Sequence, residues 1–298
     1  MSDYVVRGIA YDNQVRFFAV SSTDTVEEAR RLHETSPEIT MIMSDMLSAG
    51  IMMGNMLKNE KDSVTLRINC EGPAEAVIVS ADSKGGVRGV PANPKVSFPK
   101  LPDGRVDLSL AIVGGNLNVI KDEGTGQPYV GTCDFVSTSM AKNLTWYFVQ
   151  SEQTPAAVGL GMIFNEDYSV KSAGGFIIQM LPNASEEVIS KLEENLKKIG
   201  SVDAMLSEGL TPEEMIKRIL GDNNGAIFYD KVEAGYRCAC SHEKTKEVLM
   251  TLPKTDIEDM IYKNTPAEAK CHFCGRSYTI SVDELKEIVK KMPPDNEK

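Results

Sequence analysis

The chain has 298 residues, 42% of them apolar, which allows about two domains with cores of their own and excludes a disordered chain. Asp and Glu (43) outnumber Lys and Arg (32), and a net charge of -11 repels phosphate, so nucleic acid is not an expected partner. The start, Met1-Ser2-Asp3-Tyr4, carries neither a basic nor an apolar secretory region, so the expected setting is a reducing cytoplasm. There, clustered cysteines serve as metal ligands or reactive thiols more often than as structural disulfides.

Residues 5–10 and 15–20 read as two short strands around the turn Tyr11-Asp12-Asn13-Gln14. A helix is expected to start near Thr25, with Glu28 as its capping-box partner, and a second to open at Ser36-Pro37-Glu38. The second carries Met41, Met43, Met46, Met52, Met53 and Met56. Methionine surfaces adapt to many partners, but a buried core helix is the plainer reading. The stretch 39–57 is also the most membrane-like in the chain. Ser44, Asp45, Ser48 and Asn55 interrupt it, so no span and no membrane partner are expected, and Gly50 and Gly54 read as close-packing points.

From Ser63 to about Met180 the pattern is β, with strands expected at 64–69, 76–79, 108–113, 116–120, 129–132 and 175–180. Trp146 is expected to be buried, Gly159-Leu160-Gly161 reads as a β-turn, and Cys70 and Cys133 read as buried, inert thiols. Helices follow. Ser185 caps one with Val188, Ile189, Leu192, Leu196 and Ile199 on its apolar side and Gly200 at its end. Thr211-Pro212-Glu213-Glu214 opens another that ends near Gly221. The fold class is therefore α+β. Residues 1–180 form an N-terminal mixed β-sheet domain with helices, 181–230 a helical connector, and 231–298 a small C-terminal four-cysteine module whose charges balance.

That module holds the chemistry. Cys238-Ala239-Cys240 is a CxC pair, and Cys271-His272-Phe273-Cys274 is a CxxC pair followed by Gly275. Two short-spaced pairs set far apart are the signature of a four-thiolate zinc site, so Cys238, Cys240, Cys271 and Cys274 are the candidate ligands of one zinc ion per chain. A purely structural site is the bland reading. The CxC pair favours a switch, because a disulfide across one residue closes a strained ring, and strained disulfides are the labile kind. Zinc keeps its ligands as thiolates, the form an oxidant attacks, and a module this small depends on its metal to fold.

His272 is crowded between the CxxC cysteines and His242 is expected in the first turn of a helix opened by Ser241, so neither is expected to ligate. His33 lies near a helix end and reads as a surface group, not a catalytic base. A thioredoxin-type CxxC opens a helix. Here Ser277-Tyr278-Thr279-Ile280 reads as a strand, and the next helix starts at Ser281 with Glu284 at its third position. There is no Walker A pattern.

The chain resembles the heat-shock protein 33 family over nearly its whole length. The resemblance lies in Arg7-Gly8 through Val15-Arg16, Val26-Glu27-Glu28-Ala29-Arg30 followed by Thr35-Ser36-Pro37, and Gly114-Gly115-Asn116-Leu117. It continues in Tyr147-Phe148-Val149-Gln150-Ser151-Glu152-Gln153-Thr154-Pro155, Gly174-Gly175-Phe176 and the final CxC plus CxxC. Many relatives have Asp-Gly where this chain has Asp12-Asn13, and both suit a tight turn.

The resemblance implies a redox-regulated, ATP-independent holdase chaperone, not an enzyme, that binds unfolding client proteins under oxidative stress. It further implies a zinc-bound, inactive reduced state, oxidation to the disulfides Cys238–Cys240 and Cys271–Cys274, zinc release, a loosened connector and a homodimer when oxidised. In the reduced state the apolar positions of the connector are expected to pack on the N-terminal sheet. A thiol oxidoreductase and an adaptor with a static zinc ribbon remain as alternatives.

Overall fold

The computed structural model describes residues 2–98, 108, 110–124, 126–222 and 224–292. The chain divides into two compact units, residues 1–237 and 238–298. The class is α+β.

In the first unit the elements are, in chain order, β1 (Tyr4–Ala10), β2 (Val15–Ser21), α1 (Thr23–His33), α2 (Pro37–Gly54), β3 (Ser63–Cys70), β4 (Ala76–Asp82) and β5 (Gly86–Pro91). There follow β6 (Gly115–Asp122), β7 (Tyr129–Asp134), α3 (Met140–Gln150), β8 (Ala156–Phe164), β9 (Val170–Met180), α4 (Glu186–Lys198), α5 (Val202–Ser207) and α6 (Pro212–Leu220). The unit ends with the short strands β10 (Ile227–Phe228), β11 (Val232–Glu233) and β12 (Gly235–Tyr236).

Two sheets result. One runs β10-β1-β2-β9-β8, with β11 also on β1; the other runs β12-β5-β4-β3-β6-β7. Among the described residues only β12 on β5 is a parallel pair. The first sheet is buried on both faces, which is why its strands read as nearly continuous apolar runs. Val5, Phe18, Val20 and Ile177 join the main core with α2. Their neighbours Val6, Phe17, Ala19, Phe176 and Ile178 join a second core with Val188, Leu192, Met205, Ile216 and Ile219 of α4–α6.

The methionine-rich α2 is a core helix, with Met43, Met46, Met52 and Met53 buried. A Cβ on Gly50 would stand 2.9 Å from a Val79 methyl, and one on Gly54 2.3 Å from the Asp82 carbonyl oxygen, so the small residues mark where helix meets strand. Among the described residues no helix is long and apolar enough to cross a membrane.

The structure corrects several expectations. The first helix starts at Thr23, before Thr25. Thr25 is no cap: its N–H and hydroxyl both donate to the carboxylate of Asp3, just before β1, at 2.6 and 2.7 Å. The β run is broken by α3, whose helical period buries Met140, Leu144, Tyr147 and Phe148 and turns Trp146 outward, 39% exposed.

The segment expected as a strand at 108–113 forms none at its described positions: residues 110 and 111 are a turn, with the Ala111 and Ile112 N–H groups both donating to the Leu108 carbonyl; Ser109 lies outside the described residues. Gly159-Leu160-Gly161 is strand, not turn. Its glycines make room, since a Cβ would lie 2.3 Å from the Phe176 ring at Gly159 and 2.3 Å from the Asp203 carboxylate at Gly161. Cys133 is buried, Cys70 half-buried, and burial pushes both thiols up to about 11, far from a reactive range.

Candidate metal centre

The second unit contains α7 (His242–Leu249), α8 (Lys254–Tyr262), the hairpin β13 (Ala267–Lys270) with β14 (Ser277–Ile280), and α9 (Val282–Lys291). Its core is small: Leu249, Ile257, Ala267, Ile280, Leu285 and Ile288. At this size apolar burial alone rarely supplies a stable fold, and a metal staple is the usual supplement.

Local geometry explains where the cysteines stand. Lys270 and Ser277 form the last β13–β14 pair, so the CxxC is the hairpin loop. The Cys271 N–H donates to the Arg276 carbonyl at 2.9 Å, and the Gly275 N–H to the Cys271 carbonyl at 2.8 Å. Gly275 has φ +69, the left-handed conformation that glycine adopts without strain. The CxC pair stops at the N-cap of α7, where the Ser241 side chain accepts from the Lys244 N–H.

These two turns bring the four sulfurs together: all lie within 4.8 Å of one another. The shortest separations run across the pairs, 3.6 Å from Cys238 Sγ to Cys271 Sγ and 3.4 Å from Cys240 Sγ to Cys274 Sγ. A tetrahedron of Zn–S bonds of about 2.3 Å has edges of roughly 3.8 Å, whereas a disulfide is about 2.05 Å long. The thiols are free, and their number, type and spacing fit zinc. Among the described residues no other group of three or more His, Cys, Asp or Glu side chains converges in this way.

The surroundings favour thiolate unevenly. The Tyr278 hydroxyl donates to Cys240 Sγ at 3.1 Å and, with help from the neighbouring thiols, holds Cys240 down to about 7. Burial pushes Cys238 up and Cys274 up to about 12, although the Cys240 and Arg276 amides point at those two sulfurs and oppose the rise. A bound dication would reverse that burial penalty and hold all four as thiolates.

His242 is engaged elsewhere: its Nε2 lies 2.8 Å from Glu284, which also meets Lys246 at 2.8 Å and closes the capping box of α9 with Ser281. Lys246 first, then His242, holds the Glu284 carboxyl well below the usual carboxylate range. His272 is not in the sulfur cluster. The sequence reading missed Tyr278 as a partner of the site. Its signal was position, since it stands two residues before buried Ile280, on the same face of the strand that leaves the CxxC loop.

The connector helices also match their caps. Ser185 caps α4, and Thr211 and Glu214 form a complete capping box on α6, with Pro212 in its first turn. The sequence reading missed α5 between them, which Ser201 caps through the Ala204 N–H.

Comparison with known proteins places this arrangement. A family model described as Hsp33 protein matches residues 3–281. A 33 kDa chaperonin of Agathobacter rectalis is 46% identical over 97% of this chain and 100% of its own length. A 33 kDa chaperonin of Lachnoclostridium phytofermentans is 44% identical over 97% of this chain and 99% of its own. The solved structure of a 33 kDa chaperonin (heat shock protein 33 homolog) from Thermotoga maritima superposes with a TM-score of 0.86 at 33% identity, covering 97% of this chain and 98% of that one.

Proposed function

Because the chain belongs to the Hsp33 family, we propose that it is a redox-regulated, ATP-independent holdase chaperone. It holds unfolding client proteins under oxidative stress and is switched on by disulfide formation and zinc release. The observation that carries this reading is the convergence of four free thiols inside a unit whose core, among the described residues, is six buried apolar side chains. Fold and metal are then coupled, so chemistry at the sulfurs becomes unfolding of the unit.

In the reduced state Cys238, Cys240, Cys271 and Cys274 hold one zinc ion, which supplies the folding free energy that the apolar core lacks. The oxidised pairs are Cys238–Cys240 and Cys271–Cys274. For each, two thiolates give up two electrons and form one S–S bond, while one peroxide takes up those electrons and two protons and leaves as two waters. Sulfurs in disulfides no longer offer thiolate donors, and the unit loses its staple.

The functional division runs 1–180, 181–230 and 231–298. In it α4–α6 are the responsive layer, since their apolar faces pack on the outer face of the first sheet. The oxidised form exposes that surface, dimerises and acts in the cytoplasm. An oxidoreductase reading is disfavoured by the CxxC lying in a hairpin loop followed by a strand, with no helix N-terminus to depress the thiol.

The test measures zinc and aggregation suppression on one reduced sample, before and after peroxide at raised temperature. Loss of about one zinc per chain together with a gain in suppression of a heated client is the expected result. Zinc that stays, or leaves with no gain, sinks the switch.

A further inference from the structure

Residues 224–237 form one strap across the edges of both sheets of the first unit. The Tyr11 N–H donates to the Asn224 carbonyl (2.6 Å), β10 pairs with β1 at Gly8 and Ile9, and the Tyr229 N–H donates to Arg7 (2.9 Å). Next β11 pairs with β1 at Tyr4 and Val5, and the Ala234 N–H donates to Asp3 (2.9 Å). The strap then crosses to the other sheet. The Gly235 N–H donates to Gly85 (3.1 Å), β12 lies parallel on β5, and the Arg237 N–H donates to Val87 (2.8 Å). Without it β1 and β5 are edge strands.

Backbone makes most of this attachment. Each strap strand has two residues, and Ile227 and Tyr229 remain 55% and 48% exposed. Its side-chain anchors are Phe228 against Phe17 (4.9 Å between centroids), Lys231 between Glu213 (2.5 Å) and the Tyr4 ring (4.3 Å), and Tyr236, whose hydroxyl donates to the Gly89 carbonyl (2.8 Å) and accepts from the Gly89 N–H (3.3 Å); Ala234 is buried, and Val232 and Tyr236 pack on the main core. The edges are shaped for a main chain. A Cβ on Gly8 would lie 2.1 Å from the Ile227 carbonyl oxygen, and one on Gly85 2.3 Å from that of Glu233. Strands of two residues at a sheet edge open more readily than the sheets they border, and this segment leads directly into Cys238, the first candidate ligand.

We propose that the strap is a stand-in for client. Resting on the function proposed above, when the second unit unfolds residues 224–237 leave β1 and β5, and extended segments of unfolding proteins add to those edges as strands. The strap itself states the preferred occupant, an extended stretch with aromatic and aliphatic residues such as Ile227, Phe228, Tyr229 and Tyr236. Main-chain hydrogen bonds are indifferent to sequence, which suits a binder of many clients, and an uncovered edge is a ready template for such pairing.

The test uses the full chain, reduced or treated with peroxide and heat. The probes are a peptide of residues 224–237 and the same peptide N-methylated at the positions of Tyr229, Ala234, Gly235 and Arg237. The plain peptide is expected to bind only the oxidised protein and abolish its aggregation suppression, the methylated one to do neither, and hydrogen exchange at those four amides to lose protection on oxidation. If suppression appears while the four amides stay protected, or if the methylated peptide competes equally, the edges are not the client site and the holdase reading survives. If the amides open and no suppression appears, the holdase reading fails and this proposal with it.

Discussion

The Tyr278 hydroxyl donates a 3.1 Å hydrogen bond to the sulfur of Cys240 from the strand that follows the CxxC loop. Partners of this kind orient metal ligands, and removing them typically costs 10–100-fold in metal affinity. Tyr278→Phe is expected to weaken zinc binding by about that factor, read by chelator competition at pH 7. An affinity equal to wild type would make the hydroxyl a bystander.

Replacing any one of Cys238, Cys240, Cys271 or Cys274 with Ser is expected to lower bound zinc from about one per chain toward zero and to remove hydrogen-exchange protection around Ile257, Ile280 and Ile288. The metal's contribution in comparable modules is on the order of 10–16 kcal/mol, about as much as the gross burial of six apolar side chains, and chain entropy consumes most of the latter. Cys70→Ser and Cys133→Ala are expected to leave zinc content unchanged. A full complement of zinc in any of the four serine variants removes that residue from the ligand set.

The nearest sulfurs lie across the pairs, Cys238 with Cys271 and Cys240 with Cys274, yet the proposed disulfides lie within them. The two outcomes differ physically. A cross-pair bond spans residues 241–270 or so and would staple the unit shut, whereas a bond within CxC or CxxC closes a loop too small to constrain the rest. Only the second permits unfolding. Mass-spectrometric mapping after mild peroxide is therefore expected to find Cys238–Cys240 and Cys271–Cys274, and predominant cross-pair bonds would argue for a lock.

Leu192 of α4 and Ile216 of α6 are fully buried against the first sheet. Leu192→Ala or Ile216→Ala leaves a cavity and is expected to cost about 2–5 kcal/mol. If the connector is the responsive layer, these variants suppress aggregation while zinc is still bound, or need less oxidant. A loss of stability measured in urea with an unchanged oxidant threshold would make the helices mere structural cover.

Burial, helped by the nearby Asp203 charge, pushes the Asp45 carboxyl on α2 up to about 7. A folded-state value above the unfolded one means the folded chain binds the extra proton between about pH 4 and pH 7, so this group's contribution to stability falls as pH rises through that window. The first unit is expected to melt lower at pH 8 than at pH 5.5, and Asp45→Asn to remove that slope, by about 2–4 °C for each kcal/mol relieved. The same slope in the variant would place its origin elsewhere.

What the sequence disclosed followed local rules. Thr211 with Glu214, Ser281 with Glu284 and the CxxC with Gly275 are cap and turn chemistry, and each stands where expected. The elements that escaped depend on distant partners. Asp3, not a cap residue of its own helix, satisfies Thr25; Phe176 and Asp203 explain why β8 needs glycines; β10–β12 are too short to carry a periodic signal and exist because β1 and β5 offer edges. Trp146 faces outward because a segment inside a β-rich stretch folds as a helix, which changes the period that decides its face. At the metal centre the four ligand candidates are visible as spacing, while Tyr278 needed the hairpin register that brings its hydroxyl to Cys240.

The two units also differ in how quickly they can be remade. In the first, β2 pairs with β9, joining Val15 to Met180, and such distant pairings make folding slow. In the second, Lys270 pairs with Ser277 across one loop, and hairpins of this kind close in about 1–10 μs. If opening is limited to the second unit, α4–α6 and the short strands β10–β12, the slow-folding pairing of β2 with β9 stands through it. On the proposed function, recovery would then be paced by thiol chemistry and metal supply, on a scale of seconds to hours, and not by refolding of the β-sheet core.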